Sequence, residues 1–426
     1  MKIGILLNDS GIENMDLSCP NEGNPGVGGT LYCFLMLIYY LRLFDDIQLT
    51  VFHYNDNVLP PAFQSCKVRN AEECVALCQT MHLSFLVHEQ MSPVEEWISL
   101  LQKYKVQSVL WAHNYLFLQE MREIPKCEPI KRVVFVGREQ YDSYMDHPII
   151  KRSTFIYNFC EDRKMSGVMH NTKSHTVVYV GSLVEMKGFH ILAKEWKHIL
   201  KKVPDARLLV LGSGRLYDRK QKLGSYGIAE AAYEKKFIKY LTNQEGKILD
   251  SVSFEGIVGQ GKETFFSEAS VGVVNPSAKS ETFCLSAVEM ELAGLPVIAG
   301  GKYGLFDTVK DKKTGYLIRN GRELRKRILE LLLDSEKNEN MGKYGRIFAR
   351  EKFDSQKIAE QWHTLFCEME SEKECCYIAP SGNWRNDKKW LRKISRMLGG
   401  FGISQIEREL KRTFLKVFHR GGWRNA

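Results

Sequence analysis

Long apolar runs are missing from this chain. The longest, residues 31–41, is 11 residues, about half of the ~20 needed to cross a bilayer. It reads as a core helix, and no membrane span is expected. The opening MKIGILL is too short an apolar run for a secretory leader and reads as a first strand. The expected location is therefore the cytoplasm, with at most peripheral contact to the inner face of the membrane. None of the 11 cysteines forms a Cys-x-x-Cys pair, which argues against a disulfide framework and for reduced thiols. Cys74, Cys78 and His82 recur at helical spacing but lack an evident fourth ligand, so no metal site is expected there. The dinucleotide fingerprint Gly-x-Gly-x-x-Gly is absent, as is a phosphate-loop lysine, which sets aside NAD and ATP sites. Zinc-finger spacing and RNA-recognition strand motifs are also absent, and no nucleic-acid partner is expected.

What is present is a soluble composition, 44% hydrophobic and 26% charged, with chain enough for two or three domains. The most informative stretch is VGVVNPSAKSETFCLSAVEMELAGLPVIAGG, residues 271–301. The β-branched run 271–274 predicts a buried strand that Asn275-Pro276-Ser277 stops. Good helix formers fill 283–293, Gly294 stands at a C′ position with Pro296 beyond it, and 296–299 begins another strand. Strand–helix–strand units of this kind build parallel α/β sheets.

Glu281 sits at the expected mouth of that helix and Glu289 two turns inside. The spacing predicts Cα atoms about 12 Å apart and about 80° apart around the axis, too far to share one bond. The two carboxylates are read as touching different parts of one long ligand. Free N–H groups near Thr282, Phe283 and Cys284 lie between them and suit a phosphate. A polyhydroxyl end, a pyrophosphate and a ribose together describe a sugar nucleotide.

Pro276-Ser277, Glu281, Phe283, Glu289, Ala293-Gly294, Pro296-Val297, Gly300-Gly301 and Thr314-Gly315-Tyr316-Leu317 stand in one order. This framework resembles the donor-site signature of the family 4 retaining glycosyltransferases, group 1 type. The resemblance implies the GT-B fold: α/β, two Rossmann-like doubly wound domains facing a cleft. It implies a nucleotide-sugar co-substrate and neither a cofactor nor an obligatory metal; no Asp-x-Asp occurs in the chain. Donor contacts are carried to Thr282, Phe283, Cys284, Leu285 and Glu289, with Glu289 on the ribose and Glu281 on the sugar hydroxyls. Cys284 stands where the family commonly has glycine. Gly28 and Gly29, before the helix 31–43, match a Gly-Gly pair that abuts the donor phosphates from the other domain. His113, after the strand 108–112, matches a histidine near the donor sugar. The catalytic set implied is Glu281, Lys187 and His113. Where the family has Gly-Arg, this chain has Gly181-Ser182; one pyrophosphate cation is missing, Lys187 remains, and Arg215 is a candidate replacement.

Strands at 3–7, 49–53, 84–88, 108–112 and 133–136 make residues 1–162 the first, acceptor-side domain. Residues 163–174 are the expected hinge, 175–350 the donor domain, and 351–370 the helix crossing back. Residues 371–426 form a basic tail: 376–426 hold 12 Lys and Arg against 3 Asp and Glu, while the whole chain is +9. Ile403, Ile406, Leu410, Phe414, Val417 and Phe418, with Arg408, Lys411, Arg412 and Lys416 among them, predict a basic amphipathic segment. Trp384, Trp390, Leu391 and Ile394 lie upstream with Lys388, Lys389, Arg392 and Lys393, and 377–426 are read as a site for an anionic membrane surface. The expected activity is hexosyl transfer from a nucleotide sugar, UDP-linked first and GDP-mannose next, to a glycan or polyprenyl-linked acceptor in cell-surface polysaccharide synthesis. A nucleotide-sugar epimerase or hydrolase on the same fold, and a non-catalytic binding protein, are the alternatives.

Overall fold

A computed structural model describes residues 1–62, 64–161, 165, 167–168, 170–215, 221–400, 402–403, 405–407 and 409–410. The first half alternates β1 (Lys2–Leu6), α1 (Gly29–Leu41), β2 (Gln48–His53), β3 (Gln64–Lys67), α2 (Ala71–Thr80), β4 (Phe85–His88), α3 (Val94–Lys103), β5 (Ser108–Ala112), α4 (Leu118–Glu123), β6 (Ile130–Phe135), α5 (Arg138–Asp142) and β7 (Ser153–Phe155). These strands form one parallel sheet of seven in the order β3-β2-β1-β4-β5-β6-β7. The sequence reading did not include β3, whose residues Gln-Ser-Cys-Lys are mostly exposed at the sheet edge and lack the apolar run that marks a buried strand.

The second half contains β8 (Thr176–Val180), α6 (Phe189–Leu200), β9 (Arg207–Leu211), α7 (Ala231–Ile238), β10 (Val252–Gly256), α8 (Lys262–Glu268), β11 (Val271–Val274), α9 (Leu285–Leu292), β12 (Val297–Gly300), α10 (Leu305–Thr308), β13 (Gly315–Ile318), α11 (Gly321–Leu333) and α12 (Ser335–Lys352). Its parallel sheet of six runs β10-β9-β8-β11-β12-β13. Strands β8 and β11 are buried along their whole length, as strands covered by helices on both faces must be. Of the expected hinge, residues 163, 164, 166 and 169 lie outside the described residues.

Helix α13 (Ser355–Glu370) returns to the first domain, where its Trp362 meets Trp111 of β5 edge-on at 4.9 Å. The chain then runs along α5 to helix α14 (Lys389–Met397), and described residues 403, 405–407 and 409–410 beyond it are helical as well. The membrane reading of the tail needs correcting on this point: several of the basic residues face inward. Glu139 and Asp142 on α5, with Asp146 just beyond it, form an acidic bed. Lys389 Nζ lies 2.6 Å from Glu139 and 2.7 Å from Asp142, and the Arg392 guanidinium is buried beside Asp146, Asp387 and Glu407. A reading of the tail alone cannot see an acidic bed whose Asp142 lies 247 residues before Lys389. Residues 411–426, with Phe414, Val417 and Phe418, lie outside the described residues, as does Arg408.

Both sheets reverse strand order once, between β1 and β4 and between β8 and β11. A crevice opens at such a switch point beyond the carboxyl ends of the strands. The two switch points face each other and frame one cleft.

Candidate active-site cleft

The cleft encloses a cavity of about 510 Å³ lined by loops that follow β1 and β5 on one side and β8 and β11 on the other. The loop after β8 carries Lys187 and is pressed onto the loop after β11. Gly188 has φ 74°, and a Cβ there would lie 2.6 Å from the Ser277 Cβ and 2.7 Å from its nitrogen. Only glycine fits this left-handed position at that approach. Ser277 Oγ closes the contact by donating to the Met186 carbonyl. The result is a salt bridge of 2.7 Å between Lys187 Nζ and Glu281 Oε2. Asn275 Nδ2 donates to the same oxygen at 2.8 Å.

Glu281 is not on the helix. Helix α9 begins at Leu285, capped by extended Cys284, two residues later than the sequence predicts. Asn275, Ala278 and Ser280 adopt φ of 33°, 54° and 52°, which winds 275–284 into a loop. Long-range bonds then hold its end extended. Gly304 N donates to the Glu281 carbonyl at 3.0 Å, and Thr282 Oγ1 donates across the cleft to the His113 carbonyl at 2.6 Å. The helical spacing estimate for the two glutamates therefore does not apply. The N–H groups at the start of α9 belong to Leu285 and Ser286, both on the cavity wall; Ala287 N and Val288 N turn back to the Cys284 carbonyl. No acidic residue occupies this first turn, so its positive end is offered to a ligand.

Glu289, one turn into α9, is paired with Lys262 at the start of α8. Lys262 Nζ lies 2.9 Å and 2.8 Å from its two oxygens, and each side chain is only 11% exposed. Sequence reasoning missed Lys262. Its signal was its place directly after the Gly259-Gln260-Gly261 turn, at the first position of a helix. Lys279 also lines the cavity, so Lys187, Lys262 and Lys279 are the lining cations among the described residues. Arg215 does not line it; its Nε donates to the Gln221 carbonyl at 3.0 Å. Ser182 lines the wall, but its hydroxyl donates to the Ser213 carbonyl at 3.3 Å. Phe283 and Cys284 are buried wall residues, and burial raises the Cys284 thiol above its ordinary pKa.

From the first domain, Asn24 Oδ1 accepts from Gly26 N and Val27 N at 2.9 Å each and shapes the glycine loop. Gly29 reaches the cavity, and a Cβ there would stand 3.3 Å from Leu285 Cδ1 of the other domain. Gly28 caps α1 and does not line the cavity; Gly26, with φ 90°, does. His113 is buried against Trp111 and Phe34, with ring centroids 4.5 Å and 5.8 Å away. Burial pushes its pKa down to about 3, so the ring is neutral at physiological pH. His113 Nε2 and Asn158 Oδ1 are buried without a partner among the described residues, and both residues line the cavity. Buried polar atoms left open are costly unless something fills them. One part of the wall thus carries three lysines, two of them paired with Glu281 and Glu289, beside the start of α9, and another is uncharged and polar. Phosphate fits the first and sugar hydroxyls the second.

Residues 161–348 match the family model Glycosyl transferases group 1. The chain is 30% identical over 193 residues to Spore coat protein SA of Bacillus subtilis, covering 45% of this chain and 48% of that protein. It is 27% identical over 198 residues to the capsular polysaccharide biosynthesis glycosyltransferase CapM of Staphylococcus aureus, covering 46% and 47%. The chain spans about half the length of the curated relatives it matches. Among solved structures, Anabaena Alr3699/HepE in complex with UDP superposes with a TM-score of 0.65 at 15% identity, covering 86% of this chain and 100% of that one. Sucrose-phosphate synthase from Thermosynechococcus elongatus gives 0.65 at 17% identity, covering 88% and 100%. The fold is the two-domain GT-B arrangement.

Proposed function

We propose that this chain, whose residues 161–348 match the family model Glycosyl transferases group 1, moves a hexosyl unit from a nucleotide sugar to a hydroxyl of a glycan or polyprenyl-linked acceptor. The observation that carries this reading is the Lys187–Glu281 pair set beside the open start of α9 in a cleft between two switch points. A UDP-sugar is the preferred donor, supported by the UDP held in the Anabaena structure of the same fold, with GDP-mannose next. Lys187 and the α9 N–H groups face the diphosphate and stabilise the charge that grows on it as the bond to the anomeric carbon breaks. Glu281 orients the sugar hydroxyls and Glu289 the ribose. Neutral His113 and Asn158 complete the polar wall. The acceptor oxygen bonds to the anomeric carbon on the face the diphosphate leaves, and its proton passes to a diphosphate oxygen. Configuration is retained, no protein nucleophile is needed, and the step requires no obligatory metal.

Relatives named for capsule and spore coat support a role in cell-surface polysaccharide synthesis. Among the described residues no helix is long and apolar enough to cross a membrane; a lipid-linked acceptor is reached from the inner face of the cytoplasmic membrane. The test is nucleoside diphosphate release from a panel of nucleotide sugars, with and without glycan and polyprenyl-phosphate acceptors. Acceptor-dependent release with an α-configured product from an α-configured donor is expected. Free sugar or an isomerised nucleotide formed without acceptor would replace this reading with the hydrolase or epimerase one, and binding without turnover would make the chain a binding protein.

A further inference from the structure

Helix α14 faces the wrong way for a helix packed on a protein core. Its polar residues Lys389, Arg392 and Ser395 are buried, whereas Trp390, Ile394, Met397 and the following Leu398 are 51%, 46%, 77% and 65% exposed. At about 100° per residue these four apolar side chains share one arc of about 100°, whose centre lies about 180° from that of the buried polar set. The inward side is held by ion pairs to Glu139 and Asp142 and by Arg396 Nη1 donating to the Met145 carbonyl at 2.8 Å. The outward side is extended by Trp384, which is 40% exposed and carries Lys393 Nζ 4.8 Å from its ring centroid. Single exposed apolar residues are ordinary; five gathered on one face with two tryptophans mark a contact.

We propose that this face inserts into the interfacial layer of an anionic bilayer, with the helix lying in the plane of the membrane. Tryptophan favours that layer because its ring body is apolar while its N–H stays wet. Charge decides for anionic lipid over a protein partner: in the sequence, residues 411–426 contain five Lys and Arg and no Asp or Glu. Lys389 and Arg392 take no part, because carboxylates of the protein already hold them. Contact through α14 is therefore apolar insertion, and attraction to lipid charge comes from other residues. The inference deepens the reading of a lipid-linked acceptor, but vesicle binding is measured without donor or acceptor. A negative result leaves the transfer reading standing, and failure of transfer leaves this one standing.

The experiment sediments the full chain with vesicles of phosphatidylcholine containing roughly 30% phosphatidylglycerol, and with phosphatidylcholine alone. The variant Trp390→Ser/Ile394→Ser/Met397→Ser changes only exposed positions and is expected to partition at least about tenfold less than wild type while melting at the same temperature. Lipids brominated near the headgroup should quench wild-type tryptophan emission more than that of Trp390→Phe, which gives a second readout if the serine variant unfolds. Unchanged partitioning of the serine variant overturns the proposal. So does absence of wild-type binding to anionic vesicles, as when the chain's own C-terminal residues cover the face. A dimer seen by light scattering and broken by the serine changes would assign the face to a second copy and overturn it too.

Discussion

Replacing Glu281 by Gln separates the two halves of the proposed donor site. The substitution keeps the shape and leaves an oxygen for Asn275 Nδ2, now 2.8 Å away, and for Lys187 Nζ, now 2.7 Å away. It removes one negative charge beside the place assigned to the diphosphate. In a wet cleft, with an effective dielectric constant between about 20 and 80, a unit charge several ångströms from the diphosphate contributes on the order of 1 kcal/mol of repulsion. Lys187 also no longer has to leave a carboxylate to meet phosphate. Nucleoside diphosphate should therefore bind about fivefold tighter. The sugar, however, loses charge-assisted hydrogen bonds of about 1.5–3 kcal/mol, so turnover of the nucleotide sugar should fall about 10- to 150-fold. Calorimetry with UDP and acceptor-dependent UDP release measure the two effects. Weaker UDP binding with undiminished turnover would place Glu281 on the nucleotide and refute the assignment.

Lys262→Met leaves Glu289 as a nearly buried carboxylate without its ion partner; a stability loss of about 1–3 kcal/mol in urea unfolding and nucleotide binding at least about tenfold weaker are expected. The fully buried Lys389, between Glu139 and Asp142, should matter more, and Lys389→Met should cost about 3–5 kcal/mol and expose the tail to limited proteolysis. His113 has a folded pKa of about 3, below its ordinary value, so the unfolded chain binds a proton that the folded chain refuses. The stability this gives is present above about pH 6.5 and is lost as the pH falls, by about 2 kcal/mol at pH 5. The difference in urea midpoints between pH 8 and pH 5 should therefore shrink in His113→Leu, and an unchanged difference would show that this histidine does not set it.

The parts of this architecture visible in the sequence are those that local patterning determines. Strands β8, β9 and β11 are short β-branched or leucine-rich runs because helices cover both their faces, and such runs announce themselves. The start of α9 was hidden. Its residues are good helix formers, yet the bonds from Gly304 to Glu281 and from Thr282 to His113 hold the preceding chain extended, and both reach far along the sequence. The Lys262–Glu289 pair joins positions on different helices that no motif links. Ser182 reads as a missing cation; in the fold its hydroxyl is turned to Ser213, and Lys262 and Lys279 carry charge into the cleft instead. The tail has an amphipathic pattern from sequence alone, but which side turns inward depends on Glu139, Asp142 and Asp146, far earlier in the chain.

The central claim is that Lys187 and the start of α9 hold a nucleoside diphosphate in this cleft. Titration calorimetry of wild type and Lys187→Met with UDP, GDP, ADP and CDP tests it directly. Wild type should bind one equivalent of one of these, UDP first, and the variant should bind it at least about tenfold more weakly. Absence of binding by all four, or equal affinity in the two proteins, would contradict it.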